Sequence, residues 1–242
     1  MVKNIPRLYY PGDLKEAVTI DLAGQQAHYL LNVMRRKADD PVLLFNGRDG
    51  EWLAHITDTT RKYCKLIPMT KTRNQTNSAD IWLLFAPIKH GRIDYLTEKA
   101  TELGVSRICP VITDHTQVSN IKIDRLQAHA IEAAEQSERL DVPEVREPTK
   151  LNTLLQGWNS ERIIFMGAER HNSVSITQAC QKTPSPSAAI LIGPEGGFSE
   201  KEFALLESLP FVLPVSLGSR ILRSDTAALA MLSCWQSLCG DW

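Results

Sequence analysis

The stretch that decides the fold reads Ile192-Gly193-Pro194-Glu195-Gly196-Gly197-Phe198. It follows the apolar run 188–192 and precedes Ser-Glu-Lys-Glu at 199–202, a capping box typical of a helix start. A strand, a glycine turn and a helix in this order indicate a parallel α/β sheet, which binds ligands beyond the carboxyl ends of its strands. The glycines allow the backbone to approach a ligand closely, although a tight turn without a ligand has the same pattern.

A second motif of the same kind occupies residues 217–227 and contains Gly218, Arg220 and Arg223. The aliphatic residues between the arginines suit an adenine, and the planar guanidinium groups suit an anion. Pairing of both arginines with surface carboxylates is the alternative. Together the two motifs predict two backbone turns that close on one small-molecule pocket.

Two common nucleotide-binding motifs are excluded. A Gly-x-Gly-x-x-Gly fingerprint would need glycine at position 195, which is glutamate, and no Gly-x-x-x-x-Gly-Lys-Ser/Thr run occurs. The chain is therefore neither a typical dinucleotide-binding protein nor a P-loop protein.

From Asp80 onward, apolar runs alternate with helical patterns, which predicts a parallel sheet covered by helices. Gly104 is expected to end the first helix, and Ser224 or Asp225 to cap the last one. The predicted strands are 81–86, 107–111, 162–166, 188–192 and 211–215. The predicted helices are 92–103, 124–139, 174–181, 200–209 and 225–238.

The first part of the chain has a different pattern, with short strands at 17–22, 42–46, 51–56 and 63–69 and one helix at 25–36. Leu30, Val33 and Met34 are expected on one side of that helix. The Asn-Gly-Arg-Asp-Gly run at 46–50 predicts a hairpin turn. Residues 70–79 are almost wholly polar. We predict a small barrel at 1–72, a linker at 73–79 and an α/β domain at 80–242.

Charge and composition narrow the function further. The net charge is −1, but residues 1–79 carry 12 Lys and Arg against 8 Asp and Glu. This part is therefore the expected contact for a polyanion. An ordinary scatter of surface charges, without a binding role, is the alternative. No apolar run approaches the roughly 18 residues of a membrane helix, and no signal peptide is evident. The five cysteines form no Cys-x-x-Cys pair, which disfavours a metal site. We expect a cytoplasmic protein without membrane or metal.

Two further polar groups are candidates for substrate contacts. Residues 132–139 place Glu132, Glu135, Gln136 and Arg139 on one helix face, for which a solvated surface is the alternative. The loop 87–92 carries Lys89, His90 and Arg92, which suit an anionic substrate.

Four segments occur in the order and spacing of one group of proteins, 98–105, 135–137, 192–198 and 217–226, and the opening at 5–9 matches the same group. Over nearly its whole length the chain resembles the ribosomal RNA small subunit methyltransferase E family, of the SPOUT class. The resemblance implies an S-adenosylmethionine-dependent enzyme that methylates N3 of a uridine in 16S ribosomal RNA. It also implies a PUA-like N-terminal β-barrel for RNA, a SPOUT-type parallel sheet with a C-terminal trefoil knot, and a homodimer.

The resemblance also assigns site residues. With the basic loop 87–92 and the polar helix face 132–139, we expect RNA contacts at Arg7, Lys89, Arg92, Gln136 and Arg139. The cofactor-binding residues are Met166, Gly167, Ala168, Ile192, Gly193, Pro194, Glu195, Gly196, Gly197, Leu217, Gly218, Ile221, Leu222 and Thr226. Two positions depart from the common family pattern: Glu138 stands where glycine is usual, and the last motif reads Arg-Ser-Asp-Thr at 223–226 where a Thr-Glu pair is frequent.

The chemistry at uracil N3 requires a proton to be removed. Glu195 is one candidate to accept it. Alternatively Arg220 or Arg223 stabilises the charge of the deprotonated base, and we favour this arginine route. Two other functions stay open, a SPOUT methyltransferase that acts on another nucleotide and a non-catalytic RNA-binding protein of ribosome assembly. The missing dinucleotide fingerprint disfavours a nicotinamide-dependent oxidoreductase.

Overall fold

The structure is a computed structural model, and it describes residues 5–60, 63–88, 90–117, 120–168, 173–183 and 187–242. The chain forms two compact units. One consists of Met1–Asn77 with Ala134–Val142, and the other of Ser78–Ala133 with Pro143–Trp242. The domain limits expected from the sequence assign residues 134–142 to the second domain, whereas the structure groups them with the first.

The first unit is built on a five-stranded sheet that forms half of a barrel. Its strands are β1 (Arg7–Tyr9), β2 (Ile20–Ala23), β3 (Pro41–Phe45), β4 (Glu51–Thr59) and β5 (Tyr63–Arg73), in the order β1-β3-β4-β5-β2. β1 runs parallel to β3, and the other neighbours are antiparallel. β3 and β4 form the predicted hairpin, in which Asn46 Oδ1 accepts hydrogen bonds from the N–H groups of Arg48 and Asp49. β1 has three residues, too few to show an alternating pattern in the sequence.

The helix predicted at 25–36 is shorter and less regular than expected. An α-helix, α1 (Gly24–His28), passes into one π-helical turn at Tyr29–Val33. The wider turn changes the angle between successive side chains within it, so Leu30 is buried but Val33 is 59% exposed. The prediction that Leu30, Val33 and Met34 lie on one side of the helix was therefore wrong for Val33. Arg35, at φ 52°, stops the helix.

The second unit contains an eight-stranded parallel sheet. Its strands are β6 (Asp80–Phe85), β7 (Arg107–Ile112), β8 (Glu144–Val145), β9 (Thr149–Lys150), β10 (Ile163–Gly167), β11 (Val174–Ser175), β12 (Ser187–Ile192) and β13 (Val212–Ser216). They lie in the order β11-β13-β10-β12-β6-β7-β8, and β9 pairs with β7. The fold class predicted from the sequence is confirmed. The trefoil knot implied by the resemblance stays a prediction.

Among the described residues, six helices accompany this sheet: α2 (His90–Glu102), α3 (Ile123–Gln136), α4 (Leu151–Gln156), α5 (Ile176–Lys182), α6 (Glu200–Ser208) and α7 (Ser224–Cys239). The sequence did not predict α4, β8, β9 or β11, because two-residue strands and a six-residue helix carry almost no periodicity. No helix in the described part of the chain is both long and apolar enough to span a bilayer.

Two helix ends agree with the prediction from the sequence, and a third does not. Gly104 lies just beyond α2 at φ 85°, and Ser199 forms the predicted capping box with Glu202. The predicted cap of α7 was wrong. Its N-cap is Arg223, and Asp225 lies in the first turn, where its carboxylate favours the positive end of the helix dipole.

Candidate active site

Three neighbouring strands bring the two glycine motifs together. β10 lies between β12 and β13, with Met166 opposite Leu191 and Gly167 opposite Val215. Because all three strands are parallel, their carboxyl ends lie at one edge of the sheet, where open α/β sheets bind ligands. A hydrogen bond of 2.9 Å from Ala168 N–H to the Val215 carbonyl holds the start of the loop after β10 beside the end of β13.

A cavity of about 770 Å³ opens at this edge. Its volume lies within the range of small-molecule sites, roughly 300–1,000 Å³. The walls are mainly apolar side chains and glycine backbone, with a few charged groups. The cavity is lined by Gly167, Ala168, residues 192–198, Leu217, residues 221–224, Arg92, Phe203, Val215 and Ala227.

The loop after β12 is a tight turn that leaves backbone exposed to the cavity. The Gly197 N–H donates to the Pro194 carbonyl at 2.8 Å, and Gly197 has φ 74°, which favours glycine. The Phe198 ring covers Gly193 so closely that a Cβ there would lie 3.0 Å from it. His115 Nδ1 donates to the Gly197 carbonyl at 3.1 Å. These contacts hold the turn in place before any ligand binds.

The loop after β13 supplies the opposite wall. Gly218 has φ 106°, and its N–H donates to Ser216 Oγ at 3.2 Å. Beyond this turn Ile221 is 69% exposed and Leu222 is half-buried, and both line the cavity. An exposed isoleucine at the mouth of a cavity gives a flat apolar ligand a surface to cover.

The charged residues that line the described cavity are Arg92, Glu195 and Arg223, and Asp225 lies beside Arg92 outside the lining. Arg92 Nη1 lies 3.8 Å from Glu195 Oε1 and 3.7 Å from Asp225 Oδ2. Arg223 also lines the cavity, whereas Arg220 is exposed outside it. The cavity therefore joins apolar walls, a glycine cradle and a small cluster of both charges.

Comparisons with known proteins show which family the chain resembles. Residues 75–236 match the model of an RNA methyltransferase domain, and residues 22–69 that of an RNA methyltransferase PUA domain. The ribosomal RNA small subunit methyltransferase E of Rickettsia conorii is 33% identical, over 94% of this chain and 93% of the relative.

The chain belongs to the ribosomal RNA small subunit methyltransferase E family.

Two solved structures share the fold over nearly the full length. The methyltransferase E of Neisseria gonorrhoeae, bound to S-adenosyl methionine, superposes with a TM-score of 0.90 at 29% identity, covering 99% of this chain and 100% of the other. A putative methyltransferase of Legionella pneumophila in complex with the cofactor gives a TM-score of 0.89 at 29% identity, with the same coverage.

The cavity of this family member gathers most of the residues that the resemblance assigned to the cofactor. Three lie elsewhere: Met166 is fully buried in the core, and Gly218 and Thr226 are exposed beyond the cavity lining. The lining contains Gly167, Ala168, Ile192, Gly193, Pro194, Glu195, Gly196, Gly197, Leu217, Ile221 and Leu222. Of the three proposed catalytic residues, Glu195 and Arg223 line the cavity and Arg220 does not.

Sequence reasoning missed five lining residues: Phe198, Phe203, Val215, Ser224 and Ala227. Phe198, Ser224 and Ala227 belong to the two motifs and Val215 lies two residues before the second, so all four could have been included on proximity alone. Phe203 lies on α6, outside both motifs, and only the three-dimensional packing brings it to the cavity.

Arg7, an expected RNA contact, is used inside the first unit. Its Nε donates to Glu51 Oε2 at 2.7 Å, and its Nη atoms donate to the carbonyls of Ala134 and Arg139. The guanidinium lies 3.8 Å above the Phe45 ring, and the side chain is 7% exposed. Burial lowers the pKa of Arg7, and Glu51 opposes that shift. This guanidinium faces protein, which argues against the predicted role of Arg7 as an RNA contact.

The other expected RNA contacts fall in different places. Arg139 is 8% exposed and pairs with Asp141 at 3.1 Å, so it too faces protein. Gln136 is exposed at the end of α3 and stays a candidate. Arg92 lies in the cavity. Lys89 is outside the described residues.

Glu138 is one of the two departures from the family pattern, and its backbone conformation is one that favours the usual glycine. Its φ is 59°, in the left-handed region where glycine is favoured, and glycine is the usual residue of the family at this position. The segment around it holds the first unit together: Tyr9 N–H donates to Glu135 Oε1 at 2.9 Å, and Arg73 Nη1 donates to the Glu138 carbonyl at 2.9 Å. The motif at 135–139 is thus at least partly structural.

Proposed function

We propose that the protein transfers a methyl group from S-adenosylmethionine to N3 of one uridine in 16S ribosomal RNA. The observation that carries the proposal is the cavity at the carboxyl ends of β10, β12 and β13, in a chain that belongs to this methyltransferase family. The substrate partner is the small ribosomal subunit in the cytoplasm. We further propose that the working form is a homodimer.

The residues of the cavity fit the cofactor. Ile221, Leu222 and Leu217 offer apolar surface for the adenine, and the glycine turn at 193–197 allows backbone groups to approach a polar ligand. The volume suits a molecule of this size. When bound, S-adenosylmethionine supplies a methyl group activated by a positively charged sulfur.

The task left to the chain is to make N3 nucleophilic. Uracil N3 carries a weakly acidic proton between two carbonyl groups, so it attacks a methyl group only after that proton leaves. Glu195, 63% exposed at its side chain, can take the proton and pass it to water. A guanidinium beside the base can stabilise the resulting anion on its carbonyl oxygens. Arg92 and Arg223 are the arginines that line the described cavity.

The target base must reach this cavity with its N3 edge exposed. Inside a duplex that edge is paired, so the base has to be unpaired or turned out of its helix. The basic character of residues 1–79 supports the proposal that the first unit contacts the RNA backbone.

The test is to incubate the purified protein with labelled S-adenosylmethionine and small subunits that lack the modification. Nuclease digestion and mass spectrometry then locate the label, and naked 16S RNA serves as a second substrate. We expect 3-methyluridine at one position. Label on another base would reassign the specificity, and cofactor binding without label on either substrate would favour a non-catalytic role in assembly.

A pair of glycine variants ties the activity to this cavity. Gly193→Val places its side chain against the Phe198 ring, 3.0 Å from the new Cβ, and should abolish cofactor binding in a calorimetric titration. Gly157→Ala is the matched control, because its Cβ finds its nearest neighbour only at 3.9 Å, outside the cavity. Equal cofactor affinity of the two variants would mean that the cofactor does not bind in this cavity.

A further inference from the structure

Arg92 occupies an unusual position in the cavity. It lies in the first turn of α2, and its Nη1 is 3.8 Å from Glu195 Oε1 and 3.7 Å from Asp225 Oδ2. Both distances exceed a hydrogen bond, so each carboxylate attracts the guanidinium without closing a direct bond to it. A cation held in this way keeps donors available for a third partner.

The two carboxylates differ in their surroundings. The Asp225 side chain is 15% exposed and is fixed in the first turn of α7, whereas the Glu195 side chain is 63% exposed on the glycine turn. Asp225 is therefore a fixed anchor, and Glu195 can move away when a ligand enters. Together they hold Arg92 over the cavity from two sides.

We propose that Arg92 is a catalytic residue, whose guanidinium binds a carbonyl oxygen of the target uracil and stabilises the negative charge that forms when N3 loses its proton. This inference rests on the proposed function. Asp225 is the positioning residue that keeps Arg92 aimed, and Glu195 accepts the N3 proton. The N3 electron pair forms the new N–C bond as the C–S bond breaks, and the electron pair of that bond stays on sulfur.

The charges of the cavity require such a group. Glu195 in the lining and Asp225 behind Arg92 would repel an anionic base, and the guanidinium near both carboxylates offsets that repulsion. Of the two cavity arginines, the Arg92 side chain is 32% exposed and anchored on a helix of 13 residues, whereas Arg223 is exposed at the N-cap of α7. A donor that is already in place stabilises a developing charge more effectively than one that must be ordered during the reaction. Arg223 is better placed to hold a phosphate of the RNA at the mouth of the cavity.

The decisive experiment compares single-turnover methylation of small subunits by the wild-type protein and by Arg92→Ala, at saturating cofactor. We expect the rate to fall about 10²- to 10³-fold, the usual loss when one donor to a developing anion is removed. Cofactor affinity, measured by calorimetry, should stay within about threefold, because the guanidinium acts on the base. Added guanidinium chloride should restore part of the rate to Arg92→Ala.

The pH dependence distinguishes this role from a structural one. Without Arg92 the anion that forms at N3 is less stabilised, so less of the base is deprotonated at a given pH, and the variant should gain more rate than the wild type as the pH rises. The described charged groups around Arg92 are Glu195, Asp225 and Arg223, all of which stay in the variant. Arg125→Ala is the matched control, since Arg125 pairs with Asp94 on the surface of the second unit, and its rate should equal that of the wild type.

Two outcomes would overturn the assignment while leaving the proposed function intact. One is an Arg92→Ala variant that makes 3-methyluridine at nearly the wild-type rate. The other is a loss that guanidinium and alkaline pH do not relieve, with Arg223→Ala showing both forms of rescue instead. A wild-type protein that makes no 3-methyluridine at all would contradict the proposed function, and the role of Arg92 with it.

Discussion

At position 138 the backbone conformation and the side chain do not suit each other. A residue with a Cβ loses roughly 1–2 kcal/mol in the left-handed region, and glycine does not. Glu138 sits there at φ 59° because the chain must turn sharply after α3 to bring Arg139 back toward Arg7. The hydrogen bonds at this turn use the backbone carbonyls of residues 138 and 139, which are present whatever the side chain.

We expect Glu138→Gly to raise the free energy of unfolding by about 1 kcal/mol, because it relieves the strained φ without removing a backbone acceptor. Urea denaturation measures the change. Gln136→Gly is the control, since Gln136 is helical and exposed, and this substitution should lower stability. A loss of stability in Glu138→Gly would show that the glutamate side chain contributes more than the backbone strain costs.

At the scale of elements, the amino ends of three strands of the second unit meet at Asp80. Arg162 donates to the Asp80 carboxylate at 2.5 Å and Ser187 donates at 2.8 Å, which links β6 to the starts of β10 and β12. Arg162 and Arg107 also flank the Trp82 ring, each 4.0 Å from its centre. Burial alone would raise the pKa of Asp80, but the hydrogen bonds and the charge of Arg162 hold that pKa below its ordinary value.

The lowered pKa of Asp80 predicts a pH-dependent contribution to stability. The stabilisation is fully present above the unfolded pKa of about 3.9 and is lost as the pH falls through the lower folded value. Asp80→Asn should therefore be less stable than the wild type at neutral pH, and the difference should shrink below about pH 4. Urea titrations at several pH values test this, with the exposed Asp21→Asn as the control. A difference independent of pH would mean that packing, and not charge, is responsible.

The carboxyl end of α2 depends on a contact with α7. Gln236 is fully buried and donates to the Leu103 carbonyl at 2.7 Å, beside Gly104. A Cβ at Gly104 would lie 2.5 Å from Gln236 Nε2, and the φ of 85° disfavours any other residue.

Gly104→Ala should therefore lower the free energy of unfolding by about 2–4 kcal/mol, from backbone strain and from a displaced buried amide. Gly91→Ala, in the first turn of the same helix, faces open space and should be neutral or stabilising by up to about 1 kcal/mol. Thermal unfolding of the two variants provides the measurement. Similar midpoints would mean that the Gln236 contact is dispensable.

At the scale of the whole molecule, the charge distribution limits how strongly the protein can hold RNA. The net charge is −1, and the positive excess of residues 1–79 comes from 12 Lys and Arg against 8 Asp and Glu. About four released counterions correspond to a slope of roughly −3 for the logarithm of affinity against the logarithm of salt. Such a protein benefits from a target that is already folded.

Binding titrations with small subunits at several salt concentrations should give that shallow slope, with tighter binding to subunits than to naked 16S RNA. Lys71→Glu in the first unit should weaken binding, whereas Lys182→Glu on α5 should not, because the two exposed lysines lie on different units. A slope near −10 would indicate a much larger electrostatic interface than the sequence supports.

The parts of the site that the sequence predicted were those fixed by local rules. The glycine turns at 193–197 and 218 follow from residue type, and the order of strands and helices follows from periodicity. Arg92 in the cavity and Arg7 beneath residues 134–139 could not be predicted in the same way. Each depends on a partner more than 100 residues distant in the chain, and neither residue type nor spacing reveals such a pair.

The first unit is interrupted in sequence, and this has a consequence for biosynthesis. As the chain leaves the ribosome, residues 1–77 emerge long before residues 134–142, which supply two carbonyl acceptors of Arg7 and pack Leu140 against Phe45. Until the later segment arrives, the nascent amino-terminal sheet has an arginine without part of its hydrogen bonding and an uncovered aromatic ring. The barrel therefore completes its folding only after more than half of the polypeptide has been translated, and expressing it in isolation would require residues 134–142 to be grafted onto its end.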